Sequence, residues 1–279
     1  EKDRLLPRVL AGRARFAIAV SEPDVGSDSA AISTRGVRSG AGWVLRGQKT
    51  YCEGAGLPST VITVYARTGD SGRKRDQLSA FLVPADHPGV RLQRMPALGR
   101  NISGIYEVFL DDVLLPSDAL LGQPGDGWQI LKNRLVLERL MISAGFLGCA
   151  DEVLQMTARY ANERQQFGRT IGSYQGVSHP LAELYIRLDA ARCAVQRTAE
   201  LFDRGSSCEV ESAMAKFLTG QLYAETTATA MQVQGAYGYV RDHTLPMHYA
   251  DGIIARVVAG PPQIQLNMVA RAMGLEGSA

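Results

Sequence analysis

Residues 127–164 read GWQILKNRLVLERLMISAGFLGCADEVLQMTARYANER. Apolar side chains recur at Ile130, Leu131, Leu135, Leu137, Leu140, Met141 and Leu147 with few breakers between them, which predicts one long helix. Arg134, Glu138, Arg139, Asp151 and Glu152 interrupt that stretch. No apolar run of about 18 residues results, so the sequence predicts no helix that spans a bilayer. Downstream, the same spacing predicts a helix from about Tyr174 to Arg204, ended by Gly205 as its C-cap. Another runs from Cys208 to about Val233, stopped by Gly235, and shorter helices cover Pro246 to Val257 and Pro261 to Met273. Pro261 and Pro262 suit a helix start, where no N–H is needed.

Upstream of residue 120 the pattern is different. Apolar residues come in short runs, Phe16 to Val20, Gly42 to Leu45, Thr60 to Tyr65, Ala80 to Val83 and Gly104 to Leu110, most of them bounded by Gly, Pro, Asp or Ser. Such runs, rich in Val, Ile, Tyr and Thr, predict strands. RTGDSGRKRD, Arg67 to Asp76, is a polar loop between two of them, its basic cluster a solvated tip. The chain is therefore an α+β protein, with a strand domain followed by an antiparallel helical bundle.

Its 279 residues suggest about two domains. Apolar residues make up 46% and charged residues 21%, which excludes a disordered chain. A net charge of +2, from 30 basic and 28 acidic residues, provides no field for gathering nucleic acid or anionic lipid. Cys52, Cys149, Cys193 and Cys208 lack CxxC spacing, so neither a disulfide framework nor a zinc site is expected, and a cytoplasmic location is. His179, His243 and His248 have no second ligand at metal spacing. The start, EKDRLLPRV, carries charge where a signal peptide needs an apolar stretch.

Five segments, in order, resemble the acyl-CoA dehydrogenase family. AVSEPDVGSD, Ala19 to Asp28, is similar to its TEPxxGSD loop, and GWVLRGQKTYCEGAG, Gly42 to Gly56, to a strand pair ending in Trp-Ile-Thr-Asn. ERQQFGRTIGSYQ, Glu163 to Gln175, resembles xRxxFGxxixxxQ. QVQGAYGYVRDHTLP, Gln232 to Pro246, resembles a QxxGG turn, and AGPPQIQLNMVAR, Ala259 to Arg271, an EGTSxIQ segment. Together they cover the chain from about residue 3 to 274.

The resemblance implies a small antiparallel β-barrel that binds flavin and substrate over residues 14–120 and a four-helix bundle over 121–279. Residues 1–13 would be the remnant of an N-terminal helical domain that is otherwise absent from this chain. It implies FAD as cofactor, an acyl thioester of coenzyme A or an acyl carrier protein as substrate, and an electron acceptor such as an electron-transfer flavoprotein. A homo-dimer or tetramer is implied too, with a helical chain or segment covering the barrel, because uncovered apolar patches are rare on monomers.

Residue by residue, Ser21 matches a Thr that bonds the flavin ring, and Ser27 the Ser of GSD near the phosphates and thioester. Tyr51 matches a ring-shielding Trp. Arg164, Phe167 and Gln175 match the segment that holds diphosphate and adenosine across a dimer interface. Gln232 and Gly235 match the QxxGG turn, and Gln263 a contact near the adenine half. Ala236 and Pro261 stand where the family has Gly and Thr, which makes the backbone less accommodating there. Glu53 occupies the position of a Thr near the reactive flavin nitrogen; either it points elsewhere or the flavin is tuned for different chemistry.

Dehydrogenation beside a thioester needs a base for the α-proton, donors for the carbonyl and an acceptor for the β-hydride. The family's usual base, the Glu of YEGT, is Ala259 here. A minority branch resembling isovaleryl-CoA and long-chain enzymes carries its Glu on the first bundle helix instead, and RLVLERLMISAGFLG has Glu138 at that position. Glu138, flanked by Leu135, Leu137, Leu140 and Met141, is expected on a largely apolar face, where burial raises a carboxyl pKa; pairing with Arg134 at i−4 is the alternative. Ala259 would offer its backbone N–H to the carbonyl. The competing functional readings are a flavin monooxygenase or oxidase on the same scaffold, and a non-catalytic subunit completing another chain's flavin site.

Overall fold

The computed structural model describes residues 2–70 and 72–275. Packing divides it into two units, 1–133 and 134–279.

The first unit opens with helix α1 (Lys2–Leu10) and builds one eight-stranded sheet. Its strands are β1 (Arg15–Ala19), β2 (Arg35–Ser39), β3 (Gly42–Glu53), β4 (Thr60–Arg67), β5 (Leu78–Pro84), β6 (Val90–Met95), β7 (Ile105–Pro116) and β8 (Leu120–Leu121). The order is β6-β7-β3-β2-β4-β5-β8, with β1 beside β4. Most pairings are antiparallel, as expected. The antiparallel expectation is corrected at β4, where β1 and the start of β2 run parallel to it. Strand β4 is paired on both edges, and almost all of its side chains are buried on both faces. That explains why its sequence is a continuous rather than an alternating apolar run.

Trp43, Leu45, Ile62, Val64, Phe81, Val83, Val108 and Leu110 form the core of this unit, and Trp43 meets Phe81 edge-on at 5.3 Å. Strands β2 and β6 lie outside the runs that the sequence marked. RGVRS carries two Arg and is mostly exposed, and in VRLQRM the inward Val90 and Leu92 alternate with Arg91 and Gln93, so neither forms a continuous apolar run.

Helix α2 (Gly127–Glu163) confirms the long helix, and the unit division falls inside it. Its first turn belongs to the strand unit: the Arg75 guanidinium lies 4.8 Å from the Trp128 ring centre, and Gly125 N–H donates to Ser79 Oγ at 3.0 Å.

The second unit continues with a two-residue hairpin, β9 (Gln165–Gln166) and β10 (Arg169–Thr170). Helices α3 (Gln175–Asp203), α4 (Glu209–Gln234), α5 (Ala236–Tyr239), α6 (Leu245–Ala255) and α7 (Pro262–Ala272) follow. The ends of α3, α4, α6 and α7 fall within two residues of their sequence expectations, and α5 lies outside them. Gly205 (φ +68°) and Gly235 (φ +58°) stop α3 and α4 in the left-handed region that L side chains avoid. Helix α4 is the centre of the bundle and touches α3, α6 and α7. The core joins Phe146, Ala150 and Leu154 of α2 to Leu184 and Leu188 of α3, Leu222 and Tyr223 of α4, and Leu245 of α6. The hydroxyls of Thr219 and Thr226 donate back to the carbonyls one turn earlier, which lets them sit buried at no unsatisfied cost.

Among the described residues no helix is long and apolar enough to cross a membrane.

Candidate active site

In the strand unit, the loop carrying Ser21 and Ser27 is held by a buried ion pair. Glu22 and Lys49 are 4% and 0% exposed, and Lys49 Nζ donates to Glu22 Oε1 at 2.8 Å and to the Val20 carbonyl at 3.1 Å. Glu22 also accepts from Ser33 N–H and Oγ, both at 2.6 Å, and from Thr34 N–H at 2.9 Å. Burial opposes ionisation of Glu22, but the Lys49 charge and these hydrogen bonds outweigh it and push its pKa down to about 2. Burial pulls Lys49 down from its usual value against the attraction of Glu22. Thr50 N–H donates to the Ser21 carbonyl at 2.9 Å, so the loop is stitched to β3 next to Tyr51. Ser21 is half-buried and Ser27 exposed. In the sequence, Glu22 and Lys49 fall inside family-like motifs without a role of their own. Their sequence neighbours, SEPD and GQKT, are polar and give no local sign that these two charges are buried.

At Tyr51 the β3–β7 register slips, with one more residue on β3 than on β7 between the Lys49 and Cys52 pairings. Tyr51 takes φ +57° and leaves its ring 66% exposed. Glu53 turns toward the loop before β7: Ser103 Oγ donates to its Oε1 at 2.7 Å and Arg100 Nη1 at 3.4 Å. Cys52 between them is buried, which pushes its thiol up to about 12 against the pull of Lys49, so it is not a nucleophile.

In the helical unit, Glu138 lies on α2 with Oε2 closed off from solvent and Arg134 Nε 3.7 Å away. The i−4 pairing weighed in the sequence therefore exists, at a half-buried position rather than on an open face. The next residue, Arg139, is 6% exposed. Its Nε donates to the Ala259 carbonyl at 3.2 Å, and its Nη1 meets Met268 Sδ at 3.3 Å. Burial lowers its pKa while Glu138 and Glu209 raise it.

Ala259, between α6 and α7, takes φ +53°, a left-handed value for a residue with a Cβ. Gln265, fully buried, donates to the Gly260 carbonyl at 2.6 Å and reaches the Ala259 carbonyl at 3.5 Å. Among the described residues the Ala259 N–H makes no hydrogen bond. Lys216 of α4 is 1% exposed, and burial, reinforced by the Arg139 charge, pushes its pKa down to about 8.

A second group gathers around the β9–β10 turn. Phe167 (φ +53°) and Gly168 (φ +80°) form its two-residue loop, with the Phe167 ring 93% exposed. Asn-Gly or Gly-Gly would make this turn without strain; a solvent-facing phenyl at the first position indicates a use for the ring. Tyr174 Oη donates to the Gln166 carbonyl at 3.2 Å, and the Arg169 guanidinium stacks over Tyr174 at 3.8 Å, which sets the hairpin against Gln175. Arg164 is exposed and, among the described residues, forms no ion pair. Tyr160 stacks on Tyr237 at 5.5 Å, tying the end of α2 to the Gly235 turn beside Gln232. No atom lies within 4 Å of where a Cβ at Gly235 would project. Gln263 is exposed in the first turn of α7.

Comparison with known proteins names the scaffold. Residues 17–113 match the middle domain of acyl-CoA dehydrogenases, and residues 125–274 match their C-terminal domain. The chain belongs to the acyl-CoA dehydrogenase family. A glutaryl-CoA dehydrogenase from Desulfococcus multivorans is 33% identical over 265 residues, 94% of this chain and 68% of that protein. The solved structure of an acyl-CoA dehydrogenase from Geobacillus kaustophilus has a TM-score of 0.95 at 29% identity, over 98% of this chain and 72% of that one. A prolyl acyl carrier protein oxidase structure has a TM-score of 0.93 at 26% identity, over 98% of this chain and 72% of that one.

The family's members are flavin oxidoreductases that dehydrogenate acyl thioesters with FAD. The residues of this acyl-CoA dehydrogenase family chain fit that cofactor. Tyr51 and Phe167 hold exposed aromatic faces on strained backbone, Arg164 is a cation open to a diphosphate, and the Gly235 turn has room for close approach.

Proposed function

We propose that the chain is an FAD-dependent acyl-CoA dehydrogenase in which Glu138 removes the α-proton and the Ala259 N–H holds the thioester carbonyl. FAD, when bound, supplies the acceptor for the β-hydride. The observation that carries the reading is the Ala259 turn. It presents an N–H with no internal partner on a strained backbone, and the α2 residue that grips its carbonyl is the neighbour of Glu138. A thioester carbonyl accepting that N–H gains stabilisation as charge moves onto its oxygen. Glu138 Oε2, shielded from water, is poised to accept a proton from the carbon beside it. Arg134 Nε lies 3.7 Å from Glu138 Oε2 and helps to orient the carboxylate.

Within the same proposal Ser21, Ser27 and Tyr51 meet the flavin ring and thioester. Arg164, Phe167, Gln175, Gln232, Gly235 and Gln263 meet the diphosphate and adenosine. Glu53 supports the Arg100–Ser103 loop, its carboxylate already engaged. Residues 14–120 serve as the flavin and substrate domain and 121–279 as the bundle that brings the base. Exposed Tyr185, Ile186, Met214 and Leu218 suit a homo-dimer or tetramer. An electron-transfer flavoprotein is the electron acceptor proposed. The four cysteines are free thiols, which suits the reducing cytoplasm.

The test is the absorbance spectrum of the purified protein before and after a panel of acyl-CoA thioesters. Flavin bleaching is expected with at least one. Glu138→Gln should keep its flavin and slow bleaching by about 10²–10⁴-fold, and Ala259→Glu in that background should restore part of the rate. Bleaching at the parent rate in Glu138→Gln but not in Glu53→Gln would move the base to Glu53. The likeness to a carrier-protein oxidase favours one second reading, an oxidase acting on carrier-bound thioesters. Reduced protein that recolours rapidly in air would support it.

A further inference from the structure

We propose that Arg139 is a positioning residue. It ties the helix that carries Glu138 to the turn that carries the Ala259 N–H, and so sets the geometry in which the thioester carbonyl is held. The inference rests on the assignment of Glu138 and Ala259 given above.

Arg139 sits at a bundle position where an apolar side chain would be the cheaper occupant. It is 6% exposed, forms no ion pair among the described residues, and shares its surroundings with a second buried cation, Lys216. Glu138 and Glu209 attract Arg139 without forming a salt bridge, burial still lowers its pKa, and well-packed apolar replacements of buried charges are often neutral or stabilising. Bundle stability therefore does not account for the guanidinium. What it does make is a hydrogen bond from Nε to the Ala259 carbonyl, 120 residues away along the chain, at 3.2 Å.

That carbonyl belongs to a residue that needs holding. Left-handed backbone at a residue with a Cβ persists only when its surroundings over-determine it. Two buried side chains do so here: Arg139 on the Ala259 carbonyl, and Gln265 on the Gly260 carbonyl at 2.6 Å. Fixing the Ala259 and Gly260 carbonyls fixes the peptide planes on either side of Gly260, and so limits how far the left-handed Ala259 and its N–H can turn. Arg139 brings a full charge to its bond, which the neutral amide of Gln265 does not. Because Arg139 follows Glu138 directly, one α2 turn fixes both the base and, through this bond, the donor. The link between the two elements is a specific side-chain bond.

The experiment uses the FAD-loaded protein and a ¹³C=O-labelled acyl-CoA whose β-carbon is replaced by sulfur, so that it binds without losing hydride. Its carbonyl stretch is read by infrared difference spectroscopy. Expected is a shift to lower frequency on binding the parent, a return toward the free-thioester position in Arg139→Met, and partial recovery in Arg139→Lys, whose ammonium can still reach a carbonyl. Flavin reduction by a true substrate should slow by about 10–10²-fold in Arg139→Met with little change in KM, as for a weakened carbonyl donor. Melting temperature should not fall. Lys216→Met removes a neighbouring buried cation without touching the turn and should leave the band and the rate as in the parent.

An unmoved carbonyl band in Arg139→Met, or an activity loss matched by a loss of melting temperature, overturns the proposal. If Arg139→Met does not fold, Arg139→Lys takes its place, since it keeps the charge: a parent-like band with a slowed rate is then the overturning result. A parent that neither shifts the band nor bleaches with any acyl-CoA instead sinks the assignment of Glu138 and Ala259 itself.

Discussion

The strand unit buries Glu22 and Lys49 against each other, 2.8 Å apart, with further donors from Ser33 and Thr34 filling the carboxylate. The helical unit buries Arg139 and Lys216 together, two cations that share no salt bridge with any described carboxylate. Both arrangements flank a proposed reacting group, yet they do different things. The ion pair clamps a loop: Glu22 lies between Ser21 and the GSD turn, and the clamp reaches Ser33, Thr34 and β3. The cations leave Arg139 free to direct its donors at a backbone carbonyl. A charge closed in a salt bridge gives rigidity, whereas one outside any salt bridge can direct its donors elsewhere.

The largest effect that would break the comparison is expected at Glu22. Glu22→Gln strands Lys49 in the core and should cost about 3–5 kcal/mol of stability, read by urea or thermal unfolding. Flavin content should fall with it, since the Ser21 loop loses its anchor. The pair also predicts an acid limit. Glu22 has its pKa lowered from 4.5 to about 2, so its contribution is complete above pH 4.5 and is lost as pH falls through that window. The Glu22→Gln protein should show a flatter acid limb than the parent between these values; parallel limbs would mean that the pair contributes nothing.

A smaller effect of opposite sign is expected at Lys216. With no salt bridge to lose, Lys216→Met should raise stability at pH 7 by about 1–3 kcal/mol. Burial lowers the Lys216 pKa from 10.5 to about 8. Below pH 8 the lysine is charged in both folded and unfolded chains and its cost is full. Between 8 and 10.5 only the unfolded chain keeps the proton, so the parent gains stability as pH rises and the advantage of the variant shrinks. Melting curves across pH 7–10 check this, and a Lys216→Met protein less stable than the parent at pH 7 would erase the contrast between the units.

The smallest effect belongs to exposed pairs. Arg35 and Asp70 lie 2.5 Å apart at the surface of the strand unit. Arg35→Ala should change stability by no more than about 1 kcal/mol, and less in high salt. A larger loss would show that proximity alone, rather than burial, governs these charges.

Much of this was legible in the chain itself. Helical periodicity located α2, α3, α4, α6 and α7 to within two residues, because breakers such as Gly205, Gly235 and the Pro261–Pro262 pair act locally. Short β-branched runs located five of the strands for the same reason. The family motifs marked Tyr51, Phe167 and Ala259, and all three are residues with positive φ despite a Cβ. Tertiary structure alone decided the rest. Strands β2 and β6 depend on neighbouring strands for backbone partners, because Arg-rich faces dilute their apolar content. The parallel pairing of β1 with β4 depends on residues some 45 positions apart meeting in space. Glu22 found Lys49 and Arg139 found Ala259 across the fold, and whether a buried charge is paired or left to act elsewhere is a property of its surroundings, which linear order does not specify.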